Sequence, residues 1–362
     1  MTTTTATRRG EDDAGGDRGA GTPSTGAGAG AGSAAAGGTS AAGTSAAGTS
    51  AGGSGGGPAL TAPRRRGRHQ WRRRRKEYLL FLLMISPNLL IIGTFDYWPV
   101  IYNAWLSLTR WNMISGVPRY VGLQNYENLF ASSSFHGILL NTLTFSAAIV
   151  IGSVVLGLAL ALLFDQKLRG RGLVRTVAFA PHIVSGAAVA TLWLFIFDPA
   201  YGLSRVVLDP FGVESPRWVN DADWALIALV IAYLWKGIGF VAIVYLAGLQ
   251  NLPEELYEAA RLDGAGTWTT FRRITLPLLS PVTFFVLVTS IIGTFQAYDM
   301  IAVLTGGGPG DATTTLSWYV YQQGFRASDA GTAAAAAMLL FVILLVVTGL
   351  QTRFVQRKVH YT

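Results

Sequence analysis

Asn251-Leu-Pro-Glu-Glu-Leu-Tyr-Glu258-Ala-Ala-Arg-Leu-Asp263-Gly264-Ala-Gly-Thr-Trp-Thr-Thr-Phe271-Arg-Arg-Ile274-Thr-Leu-Pro277 joins two apolar stretches, Trp224–Leu249 and about Leu278–Gln296. Pro253 suits the first position of a helix, where its missing N–H would be unpaired anyway, and Glu254 and Glu255 favour the positive helix end. Leu252, Leu256 and Ala260 recur at i, i+4 spacing and share a face. Gly264 is placed to stop the helix in a left-handed conformation. A second short helix is expected from near Thr267 to just before Pro277. A polar helix–turn–helix between two segments of this length reads as a loop lying on a membrane surface.

Working outward, the chain from Tyr78 onward alternates apolar stretches with short polar loops. A bilayer-spanning helix needs ~20 apolar residues, and six stretches qualify. The first runs from Tyr78 past Pro87 to Phe95, extending helically through Leu108. The others are Asn141–Phe164, Val177–Phe197, Trp224–Leu249, about Leu278–Gln296, and Gly331–Leu350. Composition agrees: of 362 residues 51% are hydrophobic and only 13% charged, against roughly 25% charged in soluble domains. The absence of cysteine excludes disulfides, thiolate catalysis and cysteine-based metal sites. The expected fold is an all-α polytopic membrane protein with six transmembrane helices over residues 78–351.

The net charge of +8 is confined to the start of the chain. Residues 1–76 hold twelve Lys/Arg and four Asp/Glu, whereas residues 77–362 balance. Nine of the twelve lie in Arg64–Lys76. With Trp71 its one stacking aromatic, this run is read as a basic juxtamembrane segment (64–77) for anionic lipid, with no nucleic-acid partner. Residues 1–63 are Gly, Ala, Ser and Thr with little to bury, and Ala41–Ser45 repeats as Ala46–Ser50. Such a tail is expected to be disordered, and without an apolar core near its start it does not read as a signal peptide. Placing both termini in the cytoplasm puts nineteen basic residues in inner segments and five in outer loops, as the positive-inside rule requires. The 251–277 loop and the tail 352–362 are then cytoplasmic.

The loop's chemistry suggests a docking knob. Ala259, Ala260, Gly264, Ala265 and Gly266 leave room for a partner's backbone, and Glu258 and Arg261 offer edge charges. An interfacial amphipathic helix with no partner would show much the same pattern. Lys236 lies midway along the fourth stretch, where a charge costs ~2.5–3.5 kcal/mol to insert. It either faces inward, toward water or an acidic partner, or snorkels outward beside Trp235. Asp299, after Gln296 and Tyr298, either hydrogen-bonds a ligand hydroxyl or simply ends the fifth stretch at the interface.

The loop resembles the EAA loop of ABC importer permeases: Glu-Ala-Ala, three residues, Gly, nine residues, Ile, one residue, Leu-Pro. The match falls on Glu258-Ala259-Ala260, Gly264, Ile274 and Leu276-Pro277, without a gap. Asp263-Gly264-Ala265 and Phe271 look like the carbohydrate-permease variant. The resemblance extends from about Tyr78 to Gln351. It takes in Tyr120–Tyr126 with Asn141-Thr142-Leu143, Pro181, Trp193 and Gly202, and Leu246–Gln250. It ends with Thr305–Pro309 followed by Thr313–Thr315, Tyr321 and Phe325. The chain is thus similar to permease subunits of binding-protein-dependent sugar ABC importers, of the maltose-permease-like group.

That resemblance implies a type I importer permease fold in a bacterial-type cytoplasmic membrane. Glu258, Ala259, Ala260, Asp263, Gly264, Ala265, Ile274, Leu276 and Pro277 would form the ATPase-coupling loop. Lys236, Gln296, Tyr298 and Asp299 are candidates for the translocation path. The implied partners are a second permease subunit, in a heterodimer, two ATP-binding cassette ATPase subunits, an extracytoplasmic solute-binding protein, a carbohydrate and membrane lipid. The chain has no ATP-binding motif, since Gly306–Gly310 is not followed by Gly-Lys-Ser/Thr. ATP and magnesium would therefore be bound by the partners, and this chain is expected to hold no cofactor or metal and not to be an enzyme itself. Its four histidines are scattered, and no Ser/His or paired-Asp arrangement falls within the spans. The competing readings are a secondary transporter driven by an ion gradient, and a membrane scaffold that docks a soluble partner.

Overall fold

The computed structural model describes residues 67–114, 116–166 and 170–355, with side chains from residue 77 to residue 353 within those ranges. The expected tail 1–63, the side chains of the basic run, Lys167, Arg169 and residues 356–362 lie outside them. Among the described residues, four helices are long and apolar enough to cross a membrane, Glu77–Leu106, Ser133–Asp165, Ala222–Gln250 and Ala330–Arg353. Two bent helix pairs bring the number to six if each pair is one span. Helix dominates because a chain in hydrocarbon must satisfy its backbone within each segment. The exception is a pair of two-residue antiparallel strands, Thr109–Arg110 and Arg119–Tyr120, in the loop after the first span.

The first span passes through Pro87 without breaking. The ring removes one backbone donor, and the Ser86 hydroxyl donates to the carbonyl of Leu83 at 3.1 Å, the acceptor that Pro87 leaves unpaired. A π-helical turn, Gly93–Tyr97, leads into Trp98–Leu106. The helix stops two residues short of the expected Leu108. There Ser107 and Thr109 donate their hydroxyls to the carbonyls of Ala104 and Leu106, at 2.7 and 2.8 Å. The second span begins earlier than expected, at Ser133 rather than Asn141.

The third span corrects the sequence reading most. Instead of one helix over Val177–Phe197 there are two, Arg171–Ile183 and Gly186–Ile196, set at 103°. The second half has 11 residues, or ~16 Å at 1.5 Å per residue, too short for a ~30 Å hydrocarbon core. Pro181 withholds its N–H within the last turn of the first half, and Ser185 restarts the helix by accepting a hydrogen bond from the Ala188 N–H at 3.4 Å. The fifth span is also bent. Thr267–Leu278 meets Ser280–Phe295 at 63°, so the second loop helix runs through Pro277 rather than ending before it. Pro277 falls where a π-helical turn, Phe271–Thr275, passes into the last turn of that helix, and Pro281 occupies a first-turn position of Ser280–Phe295, where the missing donor costs nothing.

The second and fourth spans pack along their length. Gly152 and Gly157 admit Leu234 and Val241 so closely that a Cβ would overlap them. One buried cluster joins Phe145, Val189, Leu229, Met300 and Trp318 from the second, third and fourth spans and the segment after the fifth. Another joins Leu158, Tyr245, Leu279 and Val286 nearer the loop. The first span contributes no buried side chain over its apolar window; Asn103 ties it to the sixth span through the Ala334 carbonyl at 3.3 Å.

Candidate functional site

The loop forms the expected pair of helices. Glu254–Leu262 follows Pro253, and its end is a Schellman motif. Gly264 takes φ +73°, its N–H donates to the Arg261 carbonyl at 3.1 Å, and the Ala265 N–H donates to the Ala260 carbonyl at 2.9 Å. A left-handed residue is what lets both bonds close, and glycine adopts it without steric cost. Ala260 is buried, whereas Glu258, Ala259, Asp263 and Gly264 are exposed. The Tyr257 hydroxyl bonds Thr275 Oγ1 at 3.1 Å, joining the two loop helices. Ile274 is half-buried, and Leu276 and Pro277 are exposed where the loop turns back into the fifth span.

Two exposed apolar side chains were not singled out from the sequence. Leu262 is 89% exposed and Trp268, stacked on Phe271 at 5.6 Å, is 71% exposed. Trp268 borders an open cleft of about 820 Å³, lined also by Tyr257, Arg261, Ala265 and Thr270 among others. Neither Glu258 nor Arg261 forms an ion pair among the described residues, and Leu256 is exposed rather than sharing the buried face with Ala260. Exposed Leu and Trp beside small residues are what a protein partner can bury. Of the small residues expected to leave room for a partner, Ala260 is instead buried.

The second site candidate is the break in the third span. Lys236 faces inward: its ammonium donates to the carbonyl of His182, in the last turn of Arg171–Ile183, at 3.5 Å. Trp235, not Lys236, turns outward. Asp299 lies against Gly186, the first residue of the second half-helix, so closely that no Cβ would fit. The Tyr233 hydroxyl donates to its carboxylate at 3.4 Å. Beside these groups is a cavity of about 250 Å³ lined by Ser153, His182, Tyr233, Lys236, Thr289, Ser290 and Thr294, among others. Of the four path candidates, Lys236 and Asp299 are brought to the two ends of one break. Gln296 is exposed at the end of the fifth span, and Tyr298 joins an aromatic cluster with Trp318 and Tyr321 at 5.5 and 4.8 Å. Tyr233 and His182 were missed. The signal for Tyr233 was its i−3 relation to Lys236.

The glycine-rich turn is structural. Gly306, Gly307 and Gly310 have positive φ, and the Gly306 carbonyl accepts from the Trp318 indole N–H at 3.1 Å. Thr314 Oγ1 donates to the Gly307 carbonyl at 3.0 Å, and the Leu316 N–H donates to Thr142 Oγ1 at 2.8 Å. The threonines thus pin this turn to the second span.

Residues 153–360, more than half of the chain, match the family described as binding-protein-dependent transport system inner membrane component. Over 280 residues the chain is 36% identical to the sn-glycerol-3-phosphate transport system permease protein UgpA of Yersinia pestis, covering 77% of this chain and 95% of that one. It is 35% identical over 277 residues to a probable ABC transporter permease of Pyrococcus horikoshii, covering 76% and 95%. Among solved structures it is similar to a chain of a bacterial ABC transporter involved in the import of the acidic polysaccharide alginate. There the TM-score is 0.68 at 26% identity, covering 80% of this chain and 99% of that one. The same transporter has been solved with an alginate pentasaccharide-bound periplasmic protein. The match embraces the loop whose spaced residues first suggested it, and the chain belongs to the inner-membrane permease family of binding-protein-dependent transport systems.

Proposed function

We propose that this chain is one of two permease subunits of an ABC importer for a carbohydrate or a related polyhydroxy solute. The observation that carries the reading is the exposed loop helix, stopped by Gly264 and flanked by Leu262 and Trp268, in a chain of this family. Glu258, Ala259, Ala260, Asp263, Gly264, Ala265, Ile274, Leu276 and Pro277 would form the contact with an ATPase subunit. Ala260, Ile274 and Leu276 would set the loop's seating, and Glu258, Ala259 and Gly264 its partner face. ATP and magnesium are bound by two such subunits, and this chain transmits their closure to the spans as a two-state element.

The similarity to relatives named for sn-glycerol-3-phosphate and alginate supports a hydroxyl-rich solute delivered by an extracytoplasmic binding protein. The exposed first span supports burial against lipid or the second permease, which we take to be a different chain. The basic bias supports cytoplasmic termini, with 64–77 against anionic lipid, 78–351 as the permease domain and 352–362 as an inner tail. Membership of a binding-protein-dependent family weighs against both the ion-gradient transporter and the scaffold.

Affinity purification of the tagged chain from its own host in mild detergent, with quantitative mass spectrometry, tests this. The expected result is one different permease and two copies of an ATPase. In the purified complex, Glu258→Lys is expected to abolish ATP-driven uptake while leaving membrane insertion intact. A chain that purifies alone after cross-linking, or a Glu258→Lys complex that transports normally, would sink the reading.

A further inference from the structure

The break in the third span presents two electrostatic problems to a chain in a membrane. The end of Arg171–Ile183 leaves carbonyls without intrahelical donors, and the start of Gly186–Ile196 leaves N–H groups without acceptors. In low dielectric each such group is costly. The Lys236 ammonium meets the negative end through the His182 carbonyl at 3.5 Å. The Asp299 carboxylate lies against Gly186 at the positive end, and Ser185 caps that end from within the chain. Each charge therefore sits at the half-helix end whose dipole stabilises it.

Both contacts are registered by one face of the fourth span. Tyr233, Lys236, Gly239 and Phe240 fall at i, i+3, i+6 and i+7, a single helical stripe. Tyr233 bonds Asp299 at 3.4 Å, Lys236 bonds the His182 carbonyl, and Phe240 stacks on the His182 ring at 4.6 Å. Gly239 lets the Ala178 carbonyl approach so closely that any Cβ would collide with it. This stripe thus contacts the first half-helix directly and holds the second through Asp299.

We propose that this stripe is a template that sets the angle of the break, with Lys236 and Asp299 as positioning residues rather than groups that bind the solute. Rotation of either half-helix about the break parts a charged contact at its end. The angle is consequently tied to the polar cavity that Tyr233, Lys236 and His182 also line. The transport consequence rests on the permease reading above; the geometric claim does not.

The chain has no cysteine of its own, so Thr176→Cys and Thr191→Cys place the spin labels of this chain on exposed positions of the two half-helices. The complex without these two cysteines, labelled in parallel, gives the background of the partner subunits. In the complex purified from its own host, pulsed electron resonance is expected to give one narrow distance between them. Lys236→Met and Asp299→Asn are each expected to broaden or shift that distance. Each is expected to cut ATP-driven uptake by about tenfold or more, as loss of a charge-assisted hydrogen bond implies. Lys236→Arg, which keeps the donor, is expected to restore the narrow distance and most of the uptake. Removal of the charge eases membrane insertion, so the Met variant remains measurable. An unchanged distance in Lys236→Met, or an Arg variant as damaged as Met, overturns the template. If the unsubstituted complex shows no ATP-driven uptake, the permease reading fails, and the distances still decide the template.

Discussion

The second and fourth spans are continuous and packed on each other, whereas the third and fifth are broken, by 103° and 63°. Both pairs are apolar enough to cross a bilayer, so hydrophobicity does not separate them. The difference lies in what their glycines and prolines meet. In the continuous pair, Gly152 and Gly157 face the branched ends of Leu234 and Val241, and each helix keeps its own hydrogen bonds. In the broken third span the partner reaches the backbone itself: Gly239 faces the Ala178 carbonyl, and Asp299 faces Gly186. A side-chain contact can relax through a rotamer change; a contact with the backbone cannot. The continuous pair reads as scaffold and the broken pair as the part whose geometry carries function.

If that distinction holds, the costliest glycine substitution is at the third–fourth crossing. Gly239→Ala drives a Cβ into a carbonyl, and overpacking of this kind costs about 3 kcal/mol. It should show as a markedly lower Tm in detergent and poor recovery of the complex; a variant as stable as the parent would break the comparison. Ser185→Ala removes the cap that restarts the third span and is expected to cost about 1 kcal/mol. Its effect should fall on the distance between half-helices as well as on Tm, and a Tm loss with an unaltered distance would argue against a capping role. Tyr245→Phe deletes the 3.2 Å hydrogen bond to Thr283 that joins the fourth and fifth spans, worth about 0.5–1 kcal/mol. Denaturant titration should resolve it, while uptake stays near the parent level. Gly152→Ala is the smallest. Crowding against Leu234 opposes a helix-propensity gain of about 1 kcal/mol, so the net change is expected within about 0.5 kcal/mol. A drop as large as that for Gly239→Ala would erase the contrast between side-chain and backbone contacts.

The loop was the most legible part of the site. Pro253, the acidic first turn and Gly264 specify a helix start and stop through local backbone chemistry, and the structure places both there. Its exposed face was less legible, since the burial of Ala260 and the exposure of Leu256, Leu262 and Trp268 depend on where the body lies. Lys236 was visible as an expensive charge, but its direction was not, because a long side chain in a span can satisfy itself outward or inward. The glycines and proline of Gly306–Gly310 mark a turn through composition alone. Its anchoring to Thr142, 174 residues away in sequence from Leu316, had no local trace.

The sequence by itself determined that this is a membrane-embedded chain with six apolar segments. It also determined that one polar loop is a stopped helix of a recognisable kind. Those properties are set by transfer energy and by backbone hydrogen bonding over a few neighbouring residues. Only the tertiary structure decided that two of the segments are broken, and that Lys236 and Asp299 meet the opposite ends of one break. The physical reason is that a helix end in hydrocarbon needs partners for its unpaired groups and charges that suit its dipole; Ser185 supplies one locally, but Lys236 and Asp299 come from elsewhere in the fold.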